Sequence, residues 1–391
     1  MSKKRLLLAG IIGRYPVGGV TWCALHYIAG FQALGYDVFY VEDTGECGFD
    51  PLTNSISIDS GYAVAYIERN LRLVGLEEAW AYVDFKGRYH GKSRSQVAKF
   101  CTGADLMVNL SGGYWPRAHP GGQESTRGFL PEYERLPKIF IDTDPGFTQL
   151  AIERAGPGWY RDFFASHNAL FTFALNVRSK SCSLTETSLC WHPTVQPIAL
   201  DFWPVTSAPE GAPYTAIMSW RTDSFCGLGK HKGAHLYSLI DLPSKLPYRV
   251  LLAISGRYPA ELLARHKWVV TDGVQATIDP FAYRDFIRSS RGELGFAKPM
   301  YVETRCGWFS DRTLCYLATG RPAIVCDTGL SEVLPCGEGL LVFDDEESLL
   351  EGVKEIEGNY TRHSRRAREI AAEFFSSEQV VSNLIRTANL L

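Results

Sequence analysis

No pair among the ten cysteines has the CxxC spacing of a zinc or redox site, and several, such as Cys315 and Cys326, sit inside apolar helix or strand patterns. That arrangement excludes a disulfide scaffold and reads as buried, reduced thiols. Long hydrophobic runs are missing too. The opening residues, MSKKRLLLAG, turn from basic to apolar, but the run is far shorter than the roughly 20 residues of a membrane span. We read it as a first strand ending in a glycine-rich turn, with no targeting segment, and expect a cytoplasmic protein. Neither charge is in excess: 40 Lys and Arg against 43 Asp and Glu leave a net −3. A global electrostatic footprint for nucleic acid is therefore absent, although a local basic cleft stays open. A GxGxxG fingerprint is lacking, which weakens a nicotinamide-dependent enzyme, and there is no internal repeat.

What is present is length and alternation. With 391 residues, 46% hydrophobic and 21% charged, the chain predicts a soluble α/β protein of two domains. Arg5 to Ala9 reads as a buried strand, Ile11 to Val20 as a glycine-rich loop, Thr21 to Leu34 as a helix and Asp37 to Val41 as a second strand. Glu42 to Asp59 reads as loop. Further strands are expected at Leu106–Leu110, Lys138–Ile141 and Ala169–Leu175, each followed by a polar loop that is glycine-rich after the first two. This alternation supports a mostly parallel sheet, whose ligands would sit at the carboxyl ends of the strands. Trp191 to Pro209 holds four prolines and no helical period, which places a domain boundary near Pro204. The second half restarts at Tyr214–Met218 and again alternates strand and helix. We therefore expect domains at 1–204 and 205–375, with a last helix, 376–391, returning to the first domain.

The stretch from Arg305 to Gly329 carries the most chemistry. Ser310 is a good N-cap, Asp311 suits the first turn, and Leu314, Leu317 and Ala318 form an apolar face. Gly320 and Pro322 stop the helix, and Ala323–Val325 is the strand beyond. A helix start preceded by glycine is an anion site, because its free N–H groups point outward. An ordinary loop–helix–strand unit is the alternative.

Taken together, several stretches resemble the GT-B glycosyltransferases, most closely the glycosyltransferase family 4 group. The glycine loop with Gly18 and Gly19 resembles that family's diphosphate loop. QPIALDFWP at 196–204 resembles its interdomain connector, and Arg221 with Lys232-Gly233 resembles its donor-diphosphate pair. Gly320-Arg321-Pro322-Ala323-Ile324-Val325, Thr328-Gly329, Glu332-Val333 and Gly339-Leu340-Leu341-Val342 match its C-terminal motifs. The resemblance implies two Rossmann-like domains facing each other across a cleft. It further implies transfer of a sugar from a nucleotide diphosphate to an acceptor hydroxyl, with no cofactor and no metal. The departure lies in the paired glutamates of retaining members: Glu293 matches the first, but the second falls on Cys315. Arg305 to Ser310 resembles in part the box of inverting plant-type enzymes, at a different spacing. Retention or inversion is therefore left open.

On this reading Arg221 and Lys232 hold the donor diphosphate, and the N–H groups near Phe309, Ser310 and Asp311 complete the cradle. Arg312 is a further phosphate or sugar candidate, although a cation in a first helical turn needs an anion beside it. Glu293 and Asp311 could bind sugar hydroxyls, and Glu332 matches a family position near the ribose. A base for the acceptor hydroxyl would come from Asp144, then His119, with Asp142 and His167 behind them. The acceptor is expected to be a small molecule or glycoside, with protein and nucleic acid left open. Binding of nucleotide sugar without transfer, and sugar-nucleotide epimerisation, are the competing readings.

Overall fold

The structure is a computed structural model and describes residues 3–115, 130–185, 187–220 and 233–390. The first half builds one sheet around β1 (Arg5–Ala9), with β2 (Asp37–Glu42), β5 (Trp80–Val83) and β6 (Tyr89–Gly91) on one side. On the other side lie β7 (Leu106–Leu110), β8 (Lys138–Asp142), β9 (Ala169–Thr172) and β10 (Trp191–Pro193). All neighbours are parallel except β5 and β6. A small antiparallel hairpin, β3 (Gly48–Asp50) and β4 (Ser55–Ser57), stands apart. The second half forms an all-parallel sheet in the order β13 (Val269–Asp272), β12 (Val250–Ser255), β11 (Tyr214–Ser219), β14 (Gly292–Gly295), β15 (Ala323–Cys326), β16 (Leu340–Phe343).

The inner strands are largely apolar because both sheet faces are covered. In β1, Leu6 and Leu8 enter one core and Leu7 and Ala9 the opposite one, as the two-residue period requires. Each sheet has a switch point: β1 sends the chain outward on one side to β2 and on the other to β7, and β11 is flanked by β12 and β14. Crevices at such points are where α/β sheets take ligands. At the first, the backbone is crowded, since a Cβ added to Gly113 would lie 2.2 Å from the Gly10 nitrogen.

Several boundaries differ from the sequence reading. The first helix runs Gly18–Ala33, so Gly18 and Gly19 lie inside its first turn and not in the loop before it. The hairpin occupies a segment read as plain loop, and Trp191–Pro193 joins the first sheet as its edge strand. The helix Ser377–Thr387 packs on Gly18–Ala33, so closely that a Cβ on Gly30 would lie 2.8 Å from the Ser377 carbonyl oxygen. The two sheets are clasped at several points. Trp22 Nε1 donates to Pro280 O at 2.8 Å, and Asn176 Nδ2 donates to Gly329 O at 2.8 Å.

Candidate active site

The carboxyl ends of both sheets face a cleft of about 540 Å³. One wall is the loop and helix start from Tyr15 to Val20; the other is formed by the ends of β11 and β12, the helix start at Gly273 and residues Asp311 and Arg312. Most backbone donors of the loop before the first helix are already used. Glu42, at the end of β2, accepts from Gly13 N at 2.7 Å and Arg14 N at 2.5 Å, and Tyr40 Oη donates to the same carboxylate. Burial pushes Glu42 up to about 7, against the pull of these donors and of the Arg14 charge.

Gly18 does a different task from the one its resemblance implies. Its N–H donates to Thr277 O at 2.7 Å, and an added Cβ would lie 2.5 Å from both the Asp279 oxygen and the Tyr283 Cβ. The glycine lets the first helix abut the second sheet's layer. Gly19 and Val20 line the cleft, and their N–H groups lie in a first turn that offers no intrahelical acceptor.

The helix Asp311–Ala318 starts as expected. Ser310 Oγ accepts from Arg312 N at 3.2 Å, and Asp311 Oδ1 accepts from the same N–H at 2.9 Å. The anion such a helix start attracts is thus partly supplied by the chain itself. Phe309 is buried and stacks on Phe375, with ring centroids 5.0 Å apart. Arg312 donates from Nε to Glu293 Oε1 at 2.5 Å and from Nη1 to Ile217 O at 2.8 Å. Burial is the largest single influence and opposes its charge, but the charge and hydrogen bond of Glu293, with Tyr283 and Tyr316 nearby, together keep the guanidinium charged. Glu293 is therefore the anion that a cation in this turn requires. It is fully buried, its Oε2 has no hydrogen-bond partner, and it does not line the cleft. Glu293, expected among the groups that touch substrate, thus lies in an ion pair beneath the cleft lining. Cys315 is also buried, and burial, then Asp311, pushes its thiol well up.

A second cavity of about 440 Å³ opens on the first sheet. Trp115 and Tyr160 stack in its wall at an interplanar angle of 9°. Asp144 lies there, held by Lys298 Nζ through both carboxylate oxygens at 2.7 Å and by Tyr301 Oη. The carboxylate first in line as a base is thus ion-paired across the two halves of the chain. Asp142 is buried and accepts from Thr148, Gln149 and Thr172. His167 is buried too, with Nδ1 donating to Phe163 O at 2.9 Å, and burial lowers it to about 3. Neither is placed as a base. A narrow space of about 140 Å³ lies between the cavities: it shares Ile11, Ser111 and Thr143 with the 440 Å³ cavity and Val20 and Asp311 with the cleft. Asp311 is its one ionisable carboxyl group among the described residues.

Glu332 lies away from the cleft, bound to Arg305 Nη2 at 2.6 Å and Ser181 Oγ at 2.7 Å. His119, Arg221 and Lys232 lie outside the described residues. Sequence reasoning missed Glu42, Lys298 and Tyr301. Glu42 closes the second strand before a loop, which is a usable signal; Lys298 carried none. Among the described residues no three His, Cys, Asp or Glu side chains group as a metal site, and no helix is long and apolar enough to cross a membrane.

No protein-family model and no curated protein sequence matches the chain. Solved structures do match over its whole length. An alpha-glucosyltransferase in complex with UDP-glucose and DNA containing an abasic site superposes with a TM-score of 0.58 at 12% identity, covering 98% of both chains. Anabaena HepE in complex with UDP and glucose gives 0.57 at 12% identity, with 100% of both chains covered. The sucrose-phosphate synthase of Thermosynechococcus elongatus gives 0.54 at 11% identity, over 99% of this chain and 98% of that one. The fold is GT-B. Two sheets of largely parallel strands are the architecture on which this likeness rests.

Proposed function

We propose that this GT-B chain transfers a sugar from a nucleotide diphosphate to an acceptor hydroxyl. The observation that carries the reading is the junction at Asp311, where a cleft with helix starts on both walls meets a separate cavity through one narrow space. The donor lies in the cleft, its diphosphate toward the N–H groups of Gly19 and Val20 and toward Arg312, with Arg221 and Lys232 completing the set. The acceptor enters from the other cavity. At the junction the bond from the anomeric carbon to the diphosphate breaks, and the diphosphate leaves with the electron pair. The acceptor oxygen bonds to that carbon, and its proton passes to the oxygen of the leaving diphosphate. Asp311, in the first turn of a helix where a negative charge is favoured, stabilises the cationic sugar. No cofactor or metal takes part, and a chelator leaves the rate unchanged. Like its structural neighbours with bound UDP, the chain is expected to prefer UDP.

A thermal-shift panel of UDP, GDP, ADP and dTDP tests the donor half, because a ligand bound only by the native state raises the melting temperature. Release of UDP from UDP-sugars tests the chemistry, and Asp311→Asn removes it while leaving the nucleotide shift. The burial of Glu293 in an ion pair and of Cys315 in the core favours one second reading, nucleotide-sugar binding without transfer. Saturable binding with no turnover of any donor would establish that instead, and conversion of the donor sugar without acceptor would establish an epimerase.

A further inference from the structure

Resting on the donor-and-acceptor reading above, we propose that the 440 Å³ cavity takes a neutral hydroxylated acceptor with an apolar face, of the class of simple aryl glycosides, and rejects polyanions such as nucleic acid. The volume lies within the roughly 300–1,000 Å³ of small-molecule sites. Its apolar part is aromatic: Phe140 and Phe164 pack edge to face beside the Trp115–Tyr160 stack. Its hydroxyl part includes the Ser111–Thr143 pair, 2.7 Å apart, which also borders the passage to Asp311.

The charges decide the class. Two cations among the described residues line the cavity, and each lies against a carboxylate of the wall: Arg14 against Glu46, its Nη1 without a hydrogen-bond partner, and Lys298 held by both oxygens of Asp144. Asp142 is a third carboxyl group in the same wall, with its oxygens taken up by Thr148, Gln149 and Thr172. Among the described lining residues no cation stands without a carboxylate beside it. An anion would have to take Lys298 from Asp144 and then sit beside the carboxylate it had displaced, a like-charge contact that disfavours the wrong partner.

Phenyl β-D-glucoside and phenyl β-D-glucuronide differ only in a CH₂OH against a carboxylate, and calorimetric titration of each into the UDP-saturated protein tests the proposal. Saturable glucoside binding is expected, roughly tenfold or more tighter than glucuronide and undisturbed by a single-stranded oligonucleotide. Asp144→Asn frees Lys298 and narrows the ratio about threefold or more, most at low salt; Lys298→Met widens it. Glucuronide binding as tight as glucoside, no saturable glucoside binding, competition by the oligonucleotide, or a ratio that neither variant moves would overturn the proposal. The UDP thermal shift of the same samples reports the donor reading separately. A retained shift without acceptor preference sinks only this inference, and acceptor preference without a shift sinks only the donor site.

Discussion

Removing one member of the Arg312–Glu293 pair gives the sharpest physical test, because stability and donor binding can be separated there. Arg312 Nε lies 2.5 Å from Glu293 Oε1; the glutamate is fully buried and its other oxygen has no partner. Arg312→Ala leaves that carboxylate buried with no cation beside it and orphans the Ile217 carbonyl. Breaking a buried pair from one side costs about 3–5 kcal/mol. At roughly 2–4 °C per kcal/mol for a unit of this size, the melting temperature should fall by about 6–20 °C. Glu293→Leu should cost a similar amount, leaving the guanidinium buried against one carbonyl. The double variant Glu293→Leu/Arg312→Met removes both charges and keeps volume, so it should lie within about 1–2 kcal/mol of the parent. Urea unfolding of the four proteins gives the coupling energy. A single variant costing less than about 1 kcal/mol, or a double costing the sum of the singles, would refute the reasoning. The double variant also isolates function. If Arg312 touches the donor diphosphate, this folded protein loses much of its UDP thermal shift; if the guanidinium serves only Glu293, the shift is unchanged.

Other perturbations follow from the same geometry. Gly18→Ala forces a methyl group to 2.5 Å from Asp279 O and Tyr283 Cβ, so a loss of about 1–3 kcal/mol is expected. Small-angle scattering should show the two halves further apart. Gly19→Ala, whose Cβ would have 3.6 Å to Tyr283, should leave stability unchanged. Glu42 titrates in the fold at about 7, above its ordinary 4.5. The destabilisation from its buried charge is thus absent below 4.5, grows between those values and is complete above 7, where it amounts to about 3 kcal/mol. Relative to Glu42→Gln, the parent should lose stability by that amount as pH rises through this window, and a pH-independent difference would disprove the linkage. Asp311→Asn should cut turnover by about a hundredfold or more with the UDP shift retained, and a variant within about fivefold of the parent rate would remove Asp311 from the chemistry.

The helix Asp311–Ala318 was legible because everything that makes it is local. Ser310 caps it, three apolar residues line one face, and Gly320 ends it with φ +74°. The strands Tyr214–Ser219 and Ala323–Cys326 were legible for the same reason, as short and largely apolar runs. What was not legible depends on residues far apart in sequence. Lys298 meets Asp144 across 154 positions, and Glu293 meets Arg312 only once β14 lies against the helix. The sequence shows two carboxylates in loops or strand ends; the fold decides that one is ion-paired in a cavity wall and the other buried beneath the cleft. The hairpin Gly48–Asp50 with Ser55–Ser57 was missed because its strands are three residues each, too short for an alternation to register.

Gly18 shows why a motif match can carry an incomplete reason. A glycine at a helix start is ordinarily read as room for a phosphate to approach the backbone. Here the space beside Gly18 is filled by Asp279 and Tyr283 of the other half, and its N–H is taken by Thr277. The residue that meets the phosphate criterion of free N–H and open space is Gly19, whose added Cβ has 3.6 Å to its nearest neighbour. The two glycines are coupled all the same. Because Gly18 lets the first helix press against the second layer, the N–H groups of Gly19 and Val20 come to border the same cleft as Asp311 and Arg312. A side chain at Gly18 would widen that cleft without touching a ligand. Its functional effect should therefore appear as weaker nucleotide binding in proportion to the separation of the halves, whereas a bulky residue at Gly19 should weaken binding with the halves in place.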